Sequence, residues 1–341
     1  MRAFITGLSG ASLTTAERNF VQEAQPWGLI LFKRNVTNPD ALRRLIGEFR
    51  AAVGRQAAVL VDQEGGRVQR LGPPHWQSYP PGAAYGAVFD RHAANGLRAA
   101  RLGGRLIAHD LAAIGIDVDC APVADVPATG ADPVIGDRAY GAAPAKVAAL
   151  AGAFAAGLME GGVLPVLKHL PGHGRATADS HQRLPIVSAD KTALDTTDFA
   201  AFRPLCGLPL GMTAHVVFTA FDPVAPATTS ANIVKHVIRD SIGFTGLLMS
   251  DDISMGALSG SLSERTRAAI AAGCDMVLHC NGVLAEMVEV AAQAPALAGD
   301  AARRAEAALA ARKPAAPLDL AASRAELAEL LHDTRPQAGL A

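Results

Sequence analysis

The chain has 341 residues, half of them apolar, with 31 Lys plus Arg against 32 Asp plus Glu and a formal net charge of -1. This length and apolar content predict a globular protein with one large α/β domain or two ordinary ones. The balanced charge excludes an electrostatic case for nucleic acid or an anionic membrane as the main partner, so we expect a small or neutral molecule instead.

Neither a leader nor a disulfide framework is indicated. Met1 to Gly7 carries one charge and too few apolar residues for a signal-peptide core, and no apolar run reaches membrane-spanning length. We therefore expect a soluble, cytoplasmic protein. The cysteines have no C-x-x-C spacing and fall in or beside apolar runs, which predicts reduced, mostly buried thiols. They are Cys120, Cys206, Cys274 and Cys280.

Strands and helices alternate along the whole chain. Apolar runs predict eight strands, at residues 3–6, 27–32, 57–61, 116–120, 163–167, 210–214, 246–250 and 275–278. Helices are predicted at 14–24, 41–53, 91–113, 144–160, 231–240 and 263–273, and the first begins at a capping box, Thr14-Thr-Ala-Glu17. Alanine-rich helices follow the eighth strand through Ala311, and a short amphipathic helix is predicted at 321–332.

This alternation, with polar residues at one end of strand after strand, predicts an α/β protein with a single-domain (β/α)8 TIM-type barrel. We assign the barrel to residues 1–312 and a C-terminal extension with a short helix to residues 313–341. A doubly wound open sheet is the structural rival. Its nucleotide-binding forms lose support because neither G-x-G-x-x-G nor G-x-x-x-x-G-K occurs.

The densest group of ionisable residues follows the fifth strand. Pro171, Gly172 and Gly174 prevent a helix there, so Lys168 and His169 lie at the carboxyl end of a strand. The loop beyond contains His173, Asp179 and His181. In an extended segment, residues two apart point to the same side, so Asp179 can accept a hydrogen bond from one ring nitrogen of His181. That is the arrangement of an oriented acid/base histidine.

Aspartates directly follow two other predicted strands: Asp62 follows the third, and Asp251 and Asp252 follow the seventh. A strand-end Asp can equally cap the following helix. Histidines at the same end of the predicted sheet favour a site instead; they are His169, His181, His215 and His279. The cations Arg67, Arg70, Arg138 and Lys168 are either solvated surface charges or groups that hold a polar ligand.

Two other chemistries were compared with this interpretation. His169, His173, Asp179 and His181 can be interpreted as metal ligands of a barrel hydrolase, but Pro171 and Gly172 break the helix that an i,i+4 histidine pair requires. Ser-His-Asp acyl chemistry lacks its G-x-S-x-G motif. We therefore expect no metal and no cofactor, and a metal-dependent barrel hydrolase stays open as an alternative.

Four motifs resemble those of a known family, in the same order along the chain. They are Val61-Asp-Gln-Glu-Gly-Gly-Arg67, Lys168-His-Leu-Pro-Gly-His-Gly174, Asp179-Ser-His181 and Ser250-Asp-Asp-Ile-Ser-Met255. From about Gly28 through Asn281 the chain resembles the single-domain β-N-acetylglucosaminidases (β-hexosaminidases) of glycoside hydrolase family three, the NagZ type.

The resemblance implies a retaining exo-β-N-acetylglucosaminidase with Asp251 as the nucleophile, His181 as the acid/base and Asp179 as its orienting partner. The residues that it implies hold the sugar are Asp62, Arg70, Arg138, Lys168 and His169. A sugar held mainly by hydrogen bonds and charge fits a chain poor in aromatics, whose loop aromatics Trp76, Tyr79 and Tyr140 can simply be packing.

The resemblance further implies that the protein trims N-acetylglucosamine from anhydro-muropeptides during peptidoglycan recycling. We also expect a monomer. Phosphorolysis in place of hydrolysis stays open, as does a sugar-binding protein without turnover.

Overall fold

The computed structural model describes residues 1–332. Eight parallel strands pair side by side and close on themselves, because the first strand is bonded to both the second and the eighth. In chain order, β1 to β8 are Arg2–Thr6, Pro26–Leu31, Ala58–Val61, Val118–Asp119, Leu164–Leu170, Leu210–Thr213, Leu247–Asp252 and Met276–His279. The predicted (β/α)8 barrel is confirmed.

The strands are buried on both faces, which is why they read as nearly continuous apolar runs. Alternate residues point into the barrel, where Leu60, Val166 and Met249 belong to one buried cluster. Their neighbours Val59 and Leu167 belong to a second cluster, shared with the helices outside. Side chains therefore fill the barrel interior, and open space is left at its ends.

Helices surround the barrel, and their bounds mostly agree with the sequence. The α-helices of four residues or more are Thr15–Ala24, Pro39–Val53, Gly82–Arg91, Ala93–Ala112, Pro144–Glu160, Phe199–Phe202, Leu262–Ala272, Leu284–Gln293, Gly299–Ala310 and Leu320–His332. The helix predicted at 231–240 is largely a π-helix, Ile233–Ser241. Thr14 and Glu17 form the predicted capping box.

Two helical regions differ from the prediction. The helix predicted at 91–113 begins earlier and is interrupted at His92, which is extended (φ -150°, ψ 103°) and accepts a hydrogen bond from the Asn95 amide at 3.4 Å. Between β5 and β6, short turns of different helix type run from Lys191 to Leu205. These turns have no single period, so no periodic pattern marks them in the sequence.

Strands β5 and β7 extend further than predicted. Strand β5 continues through Leu170 and β7 through Asp252, because Leu170 pairs with Thr213 and Asp252 with Leu278 after a register shift in each strand. Lys168, His169 and Asp251 therefore lie within the barrel wall rather than in the loops after it. Strand residues hold functional side chains more rigidly than loop residues do.

After the barrel, the chain runs back over its helices. The Ala316 amide donates to the Glu160 carbonyl at 2.9 Å, and the helix Leu320–His332, close to the predicted 321–332, carries Glu326 in an ion pair with Arg98. The rest of the predicted extension, residues 333–341, lies outside the described residues. Within residues 1–332, none of the helices combines the length and apolar character needed to cross a membrane.

Candidate active site

A cavity of about 230 Å³ opens at the carboxyl ends of the barrel strands. The predicted site residues that line it are Asp62, Arg70, Arg138, Lys168, His169, His181 and Asp251. Asp179, the eighth, contacts the ring of His181. Folding thus brings together residues from both ends of a 190-residue stretch, because the carboxyl ends of all parallel strands meet at one rim.

Five charged residues on one side of the cavity form the charge cluster: Asp62, Glu64, Arg70, Arg138 and Lys168. The Lys168 Nζ is 3.1 Å from Asp62 Oδ1 and 2.6 Å from Glu64 Oε1. Arg70 donates to Asp62 Oδ2 at 2.8 Å, and Arg138 binds both oxygens of Glu64 at 2.8 Å. Both carboxylates are therefore paired with two cations each, which buried charges require.

These pairings outweigh the effect of burial on protonation. Burial alone would raise the pKa of Glu64, but the charges of Arg138 and Lys168 lower it to about 2. Burial also opposes ionisation of Asp62, yet Lys168 and Arg70 hold its pKa well below the usual range. The Lys168 pKa is raised despite burial, because Glu64 and Asp62 stabilise the ammonium. Asp62, Glu64 and Lys168 therefore stay charged at neutral pH.

Asp251 and Asp252 adjoin in β7 but face different partners. The Asp252 carboxylate accepts from the amides of Ser254 and Cys280, at 3.0 and 3.2 Å, and from the Ser254 hydroxyl at 2.6 Å. Asp251 Oδ1 accepts from the Asp252 amide at 2.8 Å. Both residues line the cavity, but the carboxylate of Asp252 fixes its own turn, whereas that of Asp251 accepts from the adjacent amide.

Asp251 is poised to be ionised. Burial alone would raise its pKa, but the nearby His215 and His169 rings, the Asp252 amide and Lys168 lower it below the ordinary aspartate value of 3.8. His215 also donates from Nε2 to the Asp252 carbonyl at 2.9 Å, and its Nδ1 is 2.7 Å from the Thr228 hydroxyl. His215 therefore anchors the backbone beside Asp251.

Asp125 orients the cavity residue His169. The Asp125 Oδ2 is 2.7 Å from His169 Nδ1, while Oδ1 accepts from the His169 and His173 amides at 3.3 and 2.6 Å. Burial opposes ionisation of Asp125, but its pKa is lowered because the His169 ring, the His173 ring and the His173 amide stabilise the carboxylate. Because Asp125 is bonded to Nδ1, the nitrogen of this cavity-lining ring that remains for a ligand is Nε2.

The His181 loop, residues 171–185, carries the predicted acid/base pair on the other side of the cavity. His181 Nδ1 is 2.8 Å from Asp179 Oδ1, which also accepts from the His181 amide at 2.9 Å. The predicted hydrogen bond is present, but the extended segment was wrong: Asp179 begins a turn and caps it with its own carboxylate. The His181 side chain is 65% exposed.

Other predicted features lie away from the cavity. His279 is bonded to Glu286 at 2.9 Å, Arg67 pairs with Asp137 across the surface, and Tyr79 and Tyr140 are buried. The four residues considered as metal ligands do not converge. Within residues 1–332, no group of three or more His, Cys, Asp or Glu side chains is placed to hold a metal ion.

Several cavity residues were not singled out from the sequence. Arg34 and Arg70 both lie against the Phe32 ring, 5.0 and 5.1 Å from its centroid, and Arg34 also donates to the Cys280 carbonyl. Phe32 and Arg34 follow β2, as Glu64 follows β3, so their position after a strand was the available signal. Asp125 likewise follows β4, but nothing in the sequence indicates that His169 is its partner.

Known proteins are similar to this chain in sequence and in structure. The Glycosyl hydrolase family 3 N terminal domain matches residues 5–308. A β-hexosaminidase of Alkalilimnicola ehrlichii is 42% identical, and the match covers 81% of this chain and 79% of that protein. A β-hexosaminidase of Thioalkalivibrio sulfidiphilus is 41% identical, and the match covers 80% of this chain and 79% of that protein. The crystal structure of NagZ from Neisseria gonorrhoeae with N-trifluoroacetyl-D-glucosamine superposes with a TM-score of 0.85 at 33% identity, covering 97% of this chain and 98% of that one.

Proposed function

The chain belongs to glycosyl hydrolase family 3 and is a glycoside hydrolase of the β-hexosaminidase group, and from this premise we propose that it removes terminal, non-reducing N-acetylglucosamine from β-linked saccharides with retention of configuration. One observation carries the proposal. A single cavity contains an aspartate whose pKa is lowered, Asp251, and an exposed imidazole oriented by a carboxylate, His181.

In the first step, a carboxylate oxygen of Asp251 attacks the anomeric carbon and forms a covalent glycosyl-enzyme. The bond from that carbon to the leaving oxygen breaks, and the bonding electrons go to that oxygen. Protonated His181 donates its Nε2 proton to the same oxygen, so the aglycone departs as a neutral alcohol. Asp179 stabilises the imidazolium through Nδ1 until the proton is transferred.

In the second step, His181 is neutral and accepts a proton from water as the water oxygen attacks the anomeric carbon. The bond from that carbon to Asp251 breaks, and the carboxylate is regenerated. Two inversions give net retention. A histidine suits both directions of transfer, because its ordinary pKa lies close to neutrality.

The charge cluster and His169 are proposed to hold the sugar. Sugar hydroxyls both donate and accept, and the cluster offers carboxylate oxygens beside cationic N–H groups on adjacent side chains. The buried Lys168 and Asp62 pair is suited to bind neighbouring hydroxyls, because hydrogen bonds to charged groups are stronger than neutral ones. Apolar side chains at the same cavity, Met212, Met255 and Leu278, offer contact to an acetyl methyl group.

A muropeptide substrate, a role in peptidoglycan recycling, a cytoplasmic location and a monomeric state are proposed from the family resemblance. A direct check is to compare turnover of a N-acetylglucosaminyl-1,6-anhydro-N-acetylmuramoyl compound with that of an aryl N-acetylglucosaminide. Because a phenolate is an intrinsically better leaving group than a sugar alcohol, the outcome that would contradict the muropeptide assignment is turnover of the aryl compound with none of the anhydro-muramoyl compound.

The covalent route is tested by the intact mass of the protein after incubation with a slow, fluorinated N-acetylglucosaminyl substrate, followed by peptide mapping. We expect one sugar adduct, on the peptide that contains Asp251. Turnover of an unmodified substrate without any adduct would overturn the covalent mechanism. Analysis of the sugar product with and without phosphate distinguishes hydrolysis, which gives free N-acetylglucosamine, from phosphorolysis, which gives its 1-phosphate.

A further inference from the structure

Ser180 lies between the two members of the acid/base pair, yet its side chain points away from the cavity. The residue is buried, at 3% exposure, while the neighbouring His181 side chain is largely exposed. The Ser180 hydroxyl is 3.0 Å from Nε2 of His173, at the other end of the same loop. This contact closes the His181 loop on itself.

His173 is a fixed partner for that hydroxyl. Its ring is buried, and its amide donates to Asp125 at 2.6 Å, so it shares its anchor with the cavity residue His169. Burial lowers the His173 pKa to about 4, which leaves the ring neutral at pH 7. Within residues 1–332, Nδ1 of His173 has no hydrogen-bond partner, so Ser180 provides the polar contact of this ring.

The turn after β7 also holds the backbone of Ser180 and His181 through two hydrogen bonds. The Ala257 amide donates to the Ser180 carbonyl at 3.1 Å, and the Gly256 amide donates to the His181 carbonyl at 3.3 Å. Gly256 and Ala257 belong to the turn that follows β7 and therefore Asp251. The acid/base pair is thus attached both to the loop of the proposed nucleophile and, through His173 and Asp125, to the side of the cavity where the sugar is proposed to bind.

We propose that His173 and Ser180 are positioning residues that hold the Asp179 and His181 pair over the cavity, and that they act on the reaction only through His181. The inference rests on the proposed function, because it assumes that His181 transfers the proton. It gives a role to His173, the remaining ionisable residue of the Lys168-to-Gly174 motif, which the proposed chemistry does not otherwise use.

The test measures how Ser180→Ala depends on the leaving group. A series of aryl N-acetylglucosaminides with leaving groups of increasing pKa is assayed for kcat/KM, which reports the first step alone. Poor leaving groups need the proton, whereas a dinitrophenolate departs without it. We expect Ser180→Ala to lower kcat/KM about tenfold for the poorest leaving group, as a small misplacement of a catalytic group does. With dinitrophenolate we expect less than about a twofold loss.

A merely structural role would give a different pattern, because general damage to the fold lowers kcat/KM equally for all leaving groups. That equal loss, or no loss at all, would overturn the inference. Ser188→Ala, at an exposed serine of the same β5-to-β6 connection, is the matched control and should leave every substrate unchanged.

Substitutions at His173 provide a second measurement. His173→Gln keeps an N–H group within reach of Ser180 and should retain more activity on poor leaving groups than His173→Leu, which cannot form the bond. Equal activity of the two variants across the series would contradict the inference.

His181→Ala separates the inference from the proposed function. If His181→Ala shows no dependence on the leaving group, the acid/base assignment fails, and the inference fails with it. If His181→Ala shows the dependence and Ser180→Ala does not, the inference alone fails.

Discussion

On one side of the cavity the Lys168 and Glu64 side chains are 3% and 6% exposed and bonded to each other, whereas on the other side the His181 ring is 65% exposed. The charge cluster lies on β5 and on turns packed against the barrel wall. The proposed acid/base pair lies on a loop, where His181 is bonded to Asp179 and the intervening Ser180 is bonded to His173.

This contrast separates two tasks. Residues that hold a sugar gain from rigidity, because preorganised partners lose little entropy on binding. The proposed acid/base, His181, must meet a leaving group that enters and departs, and its exposed position suits that role. Substitutions in the charge cluster should therefore affect stability as well as binding, while those in the acid/base pair should affect chemistry alone.

The largest effect is expected at Asp251, which lines the same cavity. Asp251→Asn should lower kcat/KM by about 10⁴-fold or more, as loss of a nucleophile does. The amide oxygen of Asn can still accept from the Asp252 N–H, so the free energy of unfolding should change by less than about 1 kcal/mol. The measurements are turnover of an aryl N-acetylglucosaminide and denaturant unfolding; retention of more than about 1% activity would refute the role.

Lys168→Met should be the most destabilising substitution in the charge cluster. It leaves the carboxylates of Asp62 and Glu64 buried without their shared cation, and breaking a buried pair costs about 3–5 kcal/mol. Urea unfolding gives the value. Lys235→Met, at an exposed lysine on the Ile233–Ser241 helix, is the control and should stay within about 0.5 kcal/mol of the wild type. Equal stability of both variants would show that the charge cluster does not stabilise the fold.

The charge cluster also predicts how stability depends on pH. The Glu64 pKa is about 2 in the folded protein against an ordinary 4.5, so between these values the unfolded chain binds a proton that the folded protein does not. Stability from this pairing is complete above pH 4.5 and is lost as the pH falls towards 2, to a total of about 3 kcal/mol.

Comparison with Glu64→Gln isolates that contribution. Unfolding measured from pH 6 down to pH 3 should show a shallower loss of stability in Glu64→Gln than in the wild type, since glutamine binds no proton. Parallel curves for the two proteins would mean that the Glu64 pKa is not lowered by folding.

The smallest effect is expected from Asp179→Asn. The amide oxygen can still orient the His181 ring, and the lost charge acts at an exposed pair, so kcat/KM for a poor leaving group should fall only about threefold to tenfold. Asp240→Asn removes the carboxylate from a second exposed Asp–His pair, with His236, 3.1 Å apart and away from the cavity, and should leave activity unchanged. A loss of stability in Asp179→Asn would contradict the contrast between the two sides.

Much of the fold could be predicted because barrel strands, buried on both faces, form nearly continuous apolar runs in the sequence, whereas helices do not. All eight strands lie within a few residues of their predicted positions. Strand ends were less predictable, because pairing with a neighbour extended β5 to Leu170 and β7 to Asp252. The break at His92 and the turns from Lys191 to Leu205 carry no periodic signal and went unpredicted.

The same division applies to the candidate site. Residues at strand ends were found because the topology of a parallel barrel brings those ends together. Their partners were not found, since Glu64 meets Arg138 across 74 residues and Asp125 meets His169 across 44. No local pattern encodes such a distance.

The sequence by itself determined the barrel, the family resemblance and the pairing of Asp179 with His181, because each depends on hydrophobic period, motif order or neighbours along the chain. The tertiary structure decided which carboxylate of Asp251-Asp252 fixes the turn after β7, which cations neutralise Glu64, and that His173 meets Ser180. Those contacts and the pKa values they shift depend on burial and on distances between remote residues, which exist only once the barrel has closed.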